Sequence, residues 1–167
     1  GLGGIAKGYA LDGSAAKLRA AGVEDFTITA GGQVYAGGNR GDRPWRIGIR
    51  DPRGAPDDYF GIVSLSDTSI STSGDYERFF VKDGVRYHHI LDPKTGQPAR
   101  MLRSVTIISP DATLADALST ALMVMGKTSG MALVSRLNNV EAVLVDNEGQ
   151  VHMSPGVDFT LVHPPIR

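Results

Sequence analysis

The chain has 167 residues, a formal net charge of −1, 41% hydrophobic residues, 21 glycines and no cysteine. This length suffices for a domain with its own core, so we expect residues 1–167 to form one turn-rich domain, without a signal peptide or an apolar run long enough to cross a bilayer. The near-zero charge gives no electrostatic basis for binding nucleic acid or an anionic membrane, and the missing cysteines exclude disulfides and thiolate metal sites.

The first half of the chain predicts one helix followed by short strands. Residues 5–21 carry apolar side chains at helical spacing, place Lys17 and Arg19 in the last turn and precede Gly22, a common helix stop. Apolar and polar residues then alternate, which predicts strands at 26–30, 33–36, 45–50 and 59–65. Residues 69–74 that follow are small and hydroxyl-rich.

The second half predicts two hairpins and further helices. Residues 77–81 and 85–90 flank Lys82-Asp83-Gly84, a strong hairpin signal, and 141–145 with 151–154 form another. Residues 105–109 predict a strand. An amphipathic helix from Leu114 to Met125 is ended by Gly126, and a second helix follows at about 129–137. The tail is expected to be extended. Hairpins with helices between them indicate an α+β fold with a largely antiparallel sheet.

One stretch concentrates reactive side chains where a strand gives way to a turn. It is Tyr87-His88-His89-Ile90-Leu91-Asp92-Pro93-Lys94-Thr95-Gly96. Asp-Pro disfavours helix, and Gly96 permits a positive φ, so a rigid loop is expected. Neighbouring side chains on a strand point to opposite faces, so at most one of the two histidines serves a given site. We place His89 in a cleft and expect His88 at the surface or in packing.

Asp116 and Thr120 are four residues apart on a predicted helix, so their side chains share one face. A carboxylate with a hydroxyl suits a hard cation such as Mg²⁺. The alternative is structural: Thr113 and Asp116 resemble a capping box at a helix start.

Two further segments offer groups for a ligand. The opening Gly3-Gly4-Ile5-Ala6-Lys7-Gly8 places amides and an ammonium at a helix start, which suits an anion, although close packing explains the same glycines. Thr72-Ser73-Gly74 offers hydroxyls and amides, or only a turn. His152 and His163 stand alone in the sequence and are expected to be solvated or packed.

Together these motifs resemble the ApbE family of FAD-dependent FMN transferases. The matching segments are Gly3-Gly4-Ile5-Ala6-Lys7-Gly8-Tyr9-Ala10, Gly31-Gly32, Ile70-Ser71-Thr72-Ser73-Gly74-Asp75-Tyr76, His89-Ile90-Leu91-Asp92-Pro93-Lys94-Thr95-Gly96 and Ala115-Asp116-Ala117-Leu118-Ser119-Thr120-Ala121. The resemblance implies an α+β fold related to the T-fold. Family members usually carry Asp at the position of Gly1 and are about twice as long, so the chain is expected to be a C-terminal portion.

The resemblance also implies a site and a reaction. Mg²⁺ would be bound by the side chains of Asp116 and Thr120 and the carbonyl of Gly4, and His89 would be the acid or base. The positions expected to contact FAD are Lys7, Gly4, Thr72, Ser73, Gly74, His89 and Ile90. The implied reaction moves FMN from FAD to a Thr hydroxyl of a target flavoprotein and releases AMP.

Two other functions stay open: hydrolysis of FAD to FMN and AMP, and a flavin-binding or scaffold role without turnover. By resemblance the parent protein is periplasmic or anchored to the inner membrane. A missing half would leave apolar surface exposed, so we expect a tendency to self-associate.

Overall fold

The fold has three layers, which the computed structural model describes for residues 2–166; Gly1 lies outside this range. After a 3-10 turn at Leu2–Gly4 the chain forms α1 (Ala6–Ala20), β1 (Phe26–Ala30), β2 (Gln33–Gly37), β3 (Trp45–Arg50), β4 (Tyr59–Leu65), β5 (Thr68–Gly74), β6 (Phe79–Lys82), β7 (Val85–His88), β8 (Leu102–Ser109), α2 (Ala112–Val134), β9 (Glu141–Asp146), β10 (Val151–Met153) and β11 (Phe159–Leu161). The expected α+β class, with a largely antiparallel sheet and packed helices, is confirmed.

The central layer is a six-stranded antiparallel sheet in the order β1-β2-β5-β8-β9-β10. One face packs against α2, where Val105 and Ile107 of β8 meet Leu118 and Leu122 in a buried core. The other face packs against a second sheet, ordered β11-β4-β3, through a core that includes Phe60. Alternation along each strand therefore decides whether a side chain faces the helices or the second sheet.

β5 is a central strand, so the alternative that Thr72-Ser73-Gly74 is only a turn is wrong. Its serines are satisfied within the fold, since Ser69 Oγ donates to the carbonyl of Val34 at 2.9 Å. Ser71 and Ser73 point to α2 and share hydrogen bonds with Ser119. Hydroxyl groups in a central strand mimic a turn composition, and only pairing with β2 and β8 reveals the strand.

α2 is one long element with a break at the glycine that was expected to end it. Gly126 has φ 74° and ψ 177°, and a β-carbon there would lie 2.3 Å from Met101 Cε. By length and composition alone α2 is long and apolar enough to cross a membrane. The expectation that the chain has no apolar run of that length is therefore wrong by this criterion. In the fold, α2 packs on the central sheet and buries Asp116, as a core helix does.

Both predicted hairpins form. In the β6–β7 hairpin Asp83 and Gly84 have positive φ values of 51° and 74°, the combination that a tight two-residue turn needs. This hairpin is a separate two-stranded sheet, and every residue of β6 is exposed. The β9–β10 hairpin extends the central sheet, and the tail contributes β11 to the second sheet where only an extended segment was expected.

Candidate functional site

The carboxylate of Asp116 lies at the start of α1 and binds two groups there. Its Oδ1 is 2.9 Å from the ammonium of Lys7, and its Oδ2 accepts a hydrogen bond from the amide of Gly8 at 3.1 Å. The Asp116 side chain is 1% exposed and that of Lys7 38%. Ile5, the N-cap residue of α1, makes no side-chain cap of its own. The helix start does take an anion, as its glycines and lysine predicted, and that anion comes from α2.

The arrangement is reciprocal, because α1 caps α2 in return. The carboxylate of Asp12 accepts the amides of Ala112 and Thr113, each at 2.9 Å, and Asp111 caps Leu114 at 2.7 Å. The capping-box alternative is therefore wrong: Asp111 is the N-cap, and the carboxylate of Asp116 reaches the other helix.

Gly8 makes this exchange between the two helices sterically feasible. A β-carbon at Gly8 would lie 2.1 Å from the carbonyl oxygen of Ala112, so no larger residue fits without moving a helix. The close approach brings the first turn of α1 against the first turn of α2. Each of the two N-terminal helix ends consequently lies within reach of a carboxylate from the other helix.

Thr120 extends the cluster into a chain of hydroxyl groups. Thr120 Oγ1 is 3.2 Å from Ser73 Oγ, which in turn is 2.9 Å from Ser119 Oγ. A β-carbon built on Gly4 would lie 3.7 Å from Thr120 Oγ1, so Gly4 and Thr120 are neighbours as predicted. Five of the expected site residues thus lie together, namely Gly4, Lys7, Ser73, Asp116 and Thr120, and Ser119 is an addition.

The polar groups of this cluster are oxygen atoms, which can bind a metal ion, and the ammonium of Lys7, which cannot. No group of three or more His, Cys, Asp or Glu side chains that could hold a metal occurs among residues 2–166. A carboxylate, two hydroxyls and a neighbouring backbone carbonyl nevertheless form the hard-oxygen set that Mg²⁺ accepts when other ligands come from a substrate or water. Asp116 supplies the negative charge, and Lys7 balances it. The residues therefore fit a magnesium ion chemically.

Thr72 and Gly74 lie apart from this cluster, although they flank Ser73. Thr72 Oγ1 shares a hydrogen bond of 2.9 Å with Thr106 on the sheet face that packs against the second sheet. A β-carbon at Gly74 would lie 2.3 Å from the ring of Tyr76, which closes that position. Of the predicted triplet, only the Ser73 side chain faces Thr120; the Thr72 side chain cannot, because neighbouring residues alternate across a strand.

The two histidines of the 87–96 stretch differ in burial, while the placement of His89 in a cleft stays a prediction. His88 is buried, with Nε2 2.6 Å from the carbonyl of Ala99 and Nδ1 accepting the amide of Ile90 at 3.3 Å. A carbonyl requires a donor and an amide requires an acceptor, so His88 is the neutral Nε2–H tautomer. The expectation of a packing role for His88 is confirmed. His89 is exposed, and its backbone amide donates to the carbonyl of Arg78 at 3.1 Å.

Ile90 is 5% exposed and lies in the core beneath α2. Its carbonyl accepts the amide of Ala99 at 3.0 Å. The turn that follows is fixed by Asp92, whose side chain accepts the amide of Lys94 at 2.9 Å, and by Gly96 at φ 68°. Within residues 2–166 no hydrogen bond or ion pair joins this turn to Asp116. The contact of Ile90 with FAD stays a prediction. Because the side chain is buried, FAD could reach only its small exposed edge unless the surrounding structure shifts.

Comparison with known proteins matches residues 1–144 to the model of the ApbE family. This chain belongs to the ApbE family. It is similar to the FAD:protein FMN transferase of Treponema pallidum, at 41% identity over 93% of this chain and 46% of that protein, and to the one of Rhodobacter capsulatus, at 42% over 92% and 29%. The chain therefore spans about half the length, or less, of these curated relatives.

Solved ApbE structures share the fold. The ApbE protein of Thermotoga maritima superimposes with a TM-score of 0.81 at 48% identity, over 92% of this chain and 50% of that one. The flavin transferase ApbE of Vibrio cholerae gives 0.76 at 36% identity, over 90% and 49%.

Two features of this ApbE-family chain escaped the sequence reasoning. Asp12, which caps α2, sits in the middle of α1 with no local signal, because its partners are about 100 residues away. His152 was expected to stand alone, but its Nε2 lies 2.6 Å from Asp146 Oδ2. The two residues lie on either side of the β9–β10 turn. The predicted hairpin could therefore have indicated that they lie close together.

Proposed function

We propose that this chain is the catalytic C-terminal portion of an enzyme that moves FMN from FAD to a Thr hydroxyl of a target flavoprotein, with release of AMP. The observation that carries the proposal is the convergence of the start of α1 on Asp116, with Lys7 and the hydroxyl group of Thr120 beside it. Such a convergence combines amide dipoles, an ammonium and hard oxygens, which is the chemistry that a pyrophosphate requires.

Asp116, Thr120 and the carbonyl of Gly4 would hold Mg²⁺. When bound, the ion neutralises the charge of the pyrophosphate and favours departure of a phosphate leaving group. Because Lys7 is partly exposed while Asp116 is buried, the ammonium is the partner that can leave the pair and bind a phosphate oxygen. The exchange would keep the carboxylate of Asp116 compensated at every stage.

His89 would act on the acceptor. Its imidazole is exposed, and a neutral ring nitrogen can accept the proton of a threonine hydroxyl as the oxygen attacks the FMN phosphorus. The new bond joins the threonine oxygen to that phosphorus, the bond to the bridging oxygen breaks, and AMP carries that oxygen away. His88 cannot take this role, because both of its nitrogens are bonded inside the fold.

Hydrolysis is the second candidate, and the exposure of His89 favours it. Water reaches the same imidazole, so in the absence of an acceptor the products would be FMN and AMP. The two reactions share every residue and differ only in the nucleophile.

Incubation of the chain with FAD, Mg²⁺ and a threonine-containing acceptor flavoprotein tests the proposal, with products resolved by chromatography and mass spectrometry. A gain of one FMN on the acceptor with stoichiometric AMP is the expected result. Asp116→Asn should abolish it, while Asp158→Asn, an exposed carboxylate on the far sheet, should not. Free FMN and AMP would indicate hydrolysis, and unchanged FAD would contradict both activities for this chain.

We also propose that the chain self-associates through the β6–β7 hairpin. Phe79, Phe80 and Val81 are exposed next to each other on a strand whose outer edge is free. Light scattering after gel filtration should show a species larger than the monomer, which Phe80→Lys should shift to the monomer. A monomer at all concentrations would contradict this.

A further inference from the structure

A polar cavity lies on the outer face of the three-stranded sheet, away from Asp116. Its volume is about 380 Å³. The lining residues are Arg40, Arg43, Pro44, Arg46, Gly48, Tyr59 and Ile62. The six-stranded sheet and both hydrophobic cores separate it from the helix starts. No step of the flavin reaction uses it.

The backbone around the cavity is built to hold three arginines together. Arg40 and Arg43 are paired across a tight turn, with the Arg40 amide donating to the Arg43 carbonyl at 2.8 Å and Gly41 at φ 69°. On β3, Trp45 and Ile47 pack toward the core, so Arg46 points outward with Gly48. Turn and strand thus bring three guanidinium groups to one rim.

These three charges have no ion-pair partner within the described part of the chain. Among residues 2–166, no carboxylate lies within ion-pair distance of Arg40, Arg43 or Arg46, whereas Arg53 holds Asp75 through two hydrogen bonds of 2.7 Å. Three like charges on one rim repel one another and attract a multivalent anion. The planar, five-donor guanidinium matches phosphate oxygens in pairs, so phosphate is the anion that this rim fits.

The floor of the cavity is suited to a flat ring. The side chain of Tyr59 is 44% exposed, and a β-carbon at Gly48 would lie 3.1 Å from its Cγ, so the aromatic ring rests close against bare backbone. Ile62 adds an apolar surface beside it. A volume of 380 Å³ is in the range of small-molecule sites, and a base can stack on a tyrosine while arginines bind its phosphate.

We propose that this cavity binds a nucleotide, with its phosphate on Arg40, Arg43 and Arg46 and its base on Tyr59. The site is separate from the Asp116 cluster and requires no metal. Its ligand is therefore a mononucleotide or dinucleotide other than the FAD molecule that undergoes the reaction. Binding there would be independent of flavin transfer.

Titration calorimetry of the chain with AMP, in the presence of EDTA, tests the proposal. AMP should bind, and adenosine should bind at least about tenfold more weakly, because charge-assisted hydrogen bonds to phosphate are lost. Arg43→Ala and Arg46→Ala should each weaken AMP by about tenfold, while Arg136→Ala, which removes an equal charge at the end of α2, should not. Tyr59→Leu should weaken AMP but leave inorganic pyrophosphate unchanged.

Asp116→Asn separates this site from the flavin site and should leave AMP affinity unchanged. Loss of AMP binding in Asp116→Asn, together with unchanged binding in Arg43→Ala, would place AMP at the helix starts and overturn the proposal. Absence of AMP binding to the unmodified chain would also overturn it. Equal affinity for AMP in Tyr59→Leu would overturn the stacked base. Circular dichroism of each variant checks that the fold is retained. We expect this for Arg43, Arg46 and Tyr59 because they are exposed, and for Asp116→Asn because its side-chain oxygen can still accept the Gly8 amide.

Discussion

Replacing Asp116 by alanine should destabilise the fold as well as abolish activity. Asp116 is 1% exposed, and its removal leaves the Gly8 amide without its acceptor and Lys7 without its counter-ion. An unsatisfied buried amide costs about 1–3 kcal/mol, while an ammonium that is 38% exposed recovers water and adds less than about 1 kcal/mol. The free energy of unfolding should therefore fall by about 1–4 kcal/mol in total.

Urea unfolding followed by the fluorescence of Trp45 measures this change. A loss of about 1–4 kcal/mol corresponds to a melting temperature lower by about 2–16 °C for a domain of this size. Asp116→Asn is the matched control, because its side-chain oxygen can still accept the Gly8 amide, so it should cost about half as much or less.

A double-mutant cycle with Lys7→Met measures how much of the loss comes from the ion pair between residues 7 and 116. The coupling free energy of this pair should stay below about 1 kcal/mol. A loss under about 0.5 kcal/mol for Asp116→Ala would show that the carboxylate does not cap α1, and the account of the helix starts would fail.

Three further predictions concern residues outside this pair. Asp12→Ala should lower the free energy of unfolding by about 1–2 kcal/mol in the same urea assay, because α2 loses its cap. An unchanged free energy would show that Asp12 does not cap α2. His89→Ala should lose turnover at saturating FAD, whereas His88→Ala should mainly lower the free energy of unfolding. A larger loss of turnover in His88→Ala than in His89→Ala would show that His88 faces the reaction instead. Burial raises the pKa of Asp146, but hydrogen bonds from His152 and two backbone amides outweigh it and lower that pKa below its ordinary value of 3.8. The folded-state pKa lies below the unfolded one, so this stabilisation is present above about pH 5 and is lost as the pH falls below 4; Asp146→Asn should flatten this acid limb, and an unchanged limb would contradict it.

The sequence by itself determined the elements whose signals are local. Alternating residues marked β3 and β4, Asp83-Gly84 marked the hairpin, and Gly126 marked the break in α2. The spacing of Asp116 and Thr120 placed them on one helix face, and the motif order identified the family. Each of these depends on a few neighbouring residues, so the chain alone specifies them.

Only the tertiary structure decided what the site residues touch. Asp116 pairs with Lys7 across 109 positions, and Asp12 reaches α2 across 100, so no local pattern announces either contact. The hydroxyl groups of β5 imitated a turn until strand pairing separated Ser73, facing Thr120, from Thr72, facing the second sheet. The physical reason is that capping and strand pairing provide hydrogen-bond partners for backbone N–H and C=O groups. The partner is the group that tertiary packing brings near, whatever its distance along the sequence.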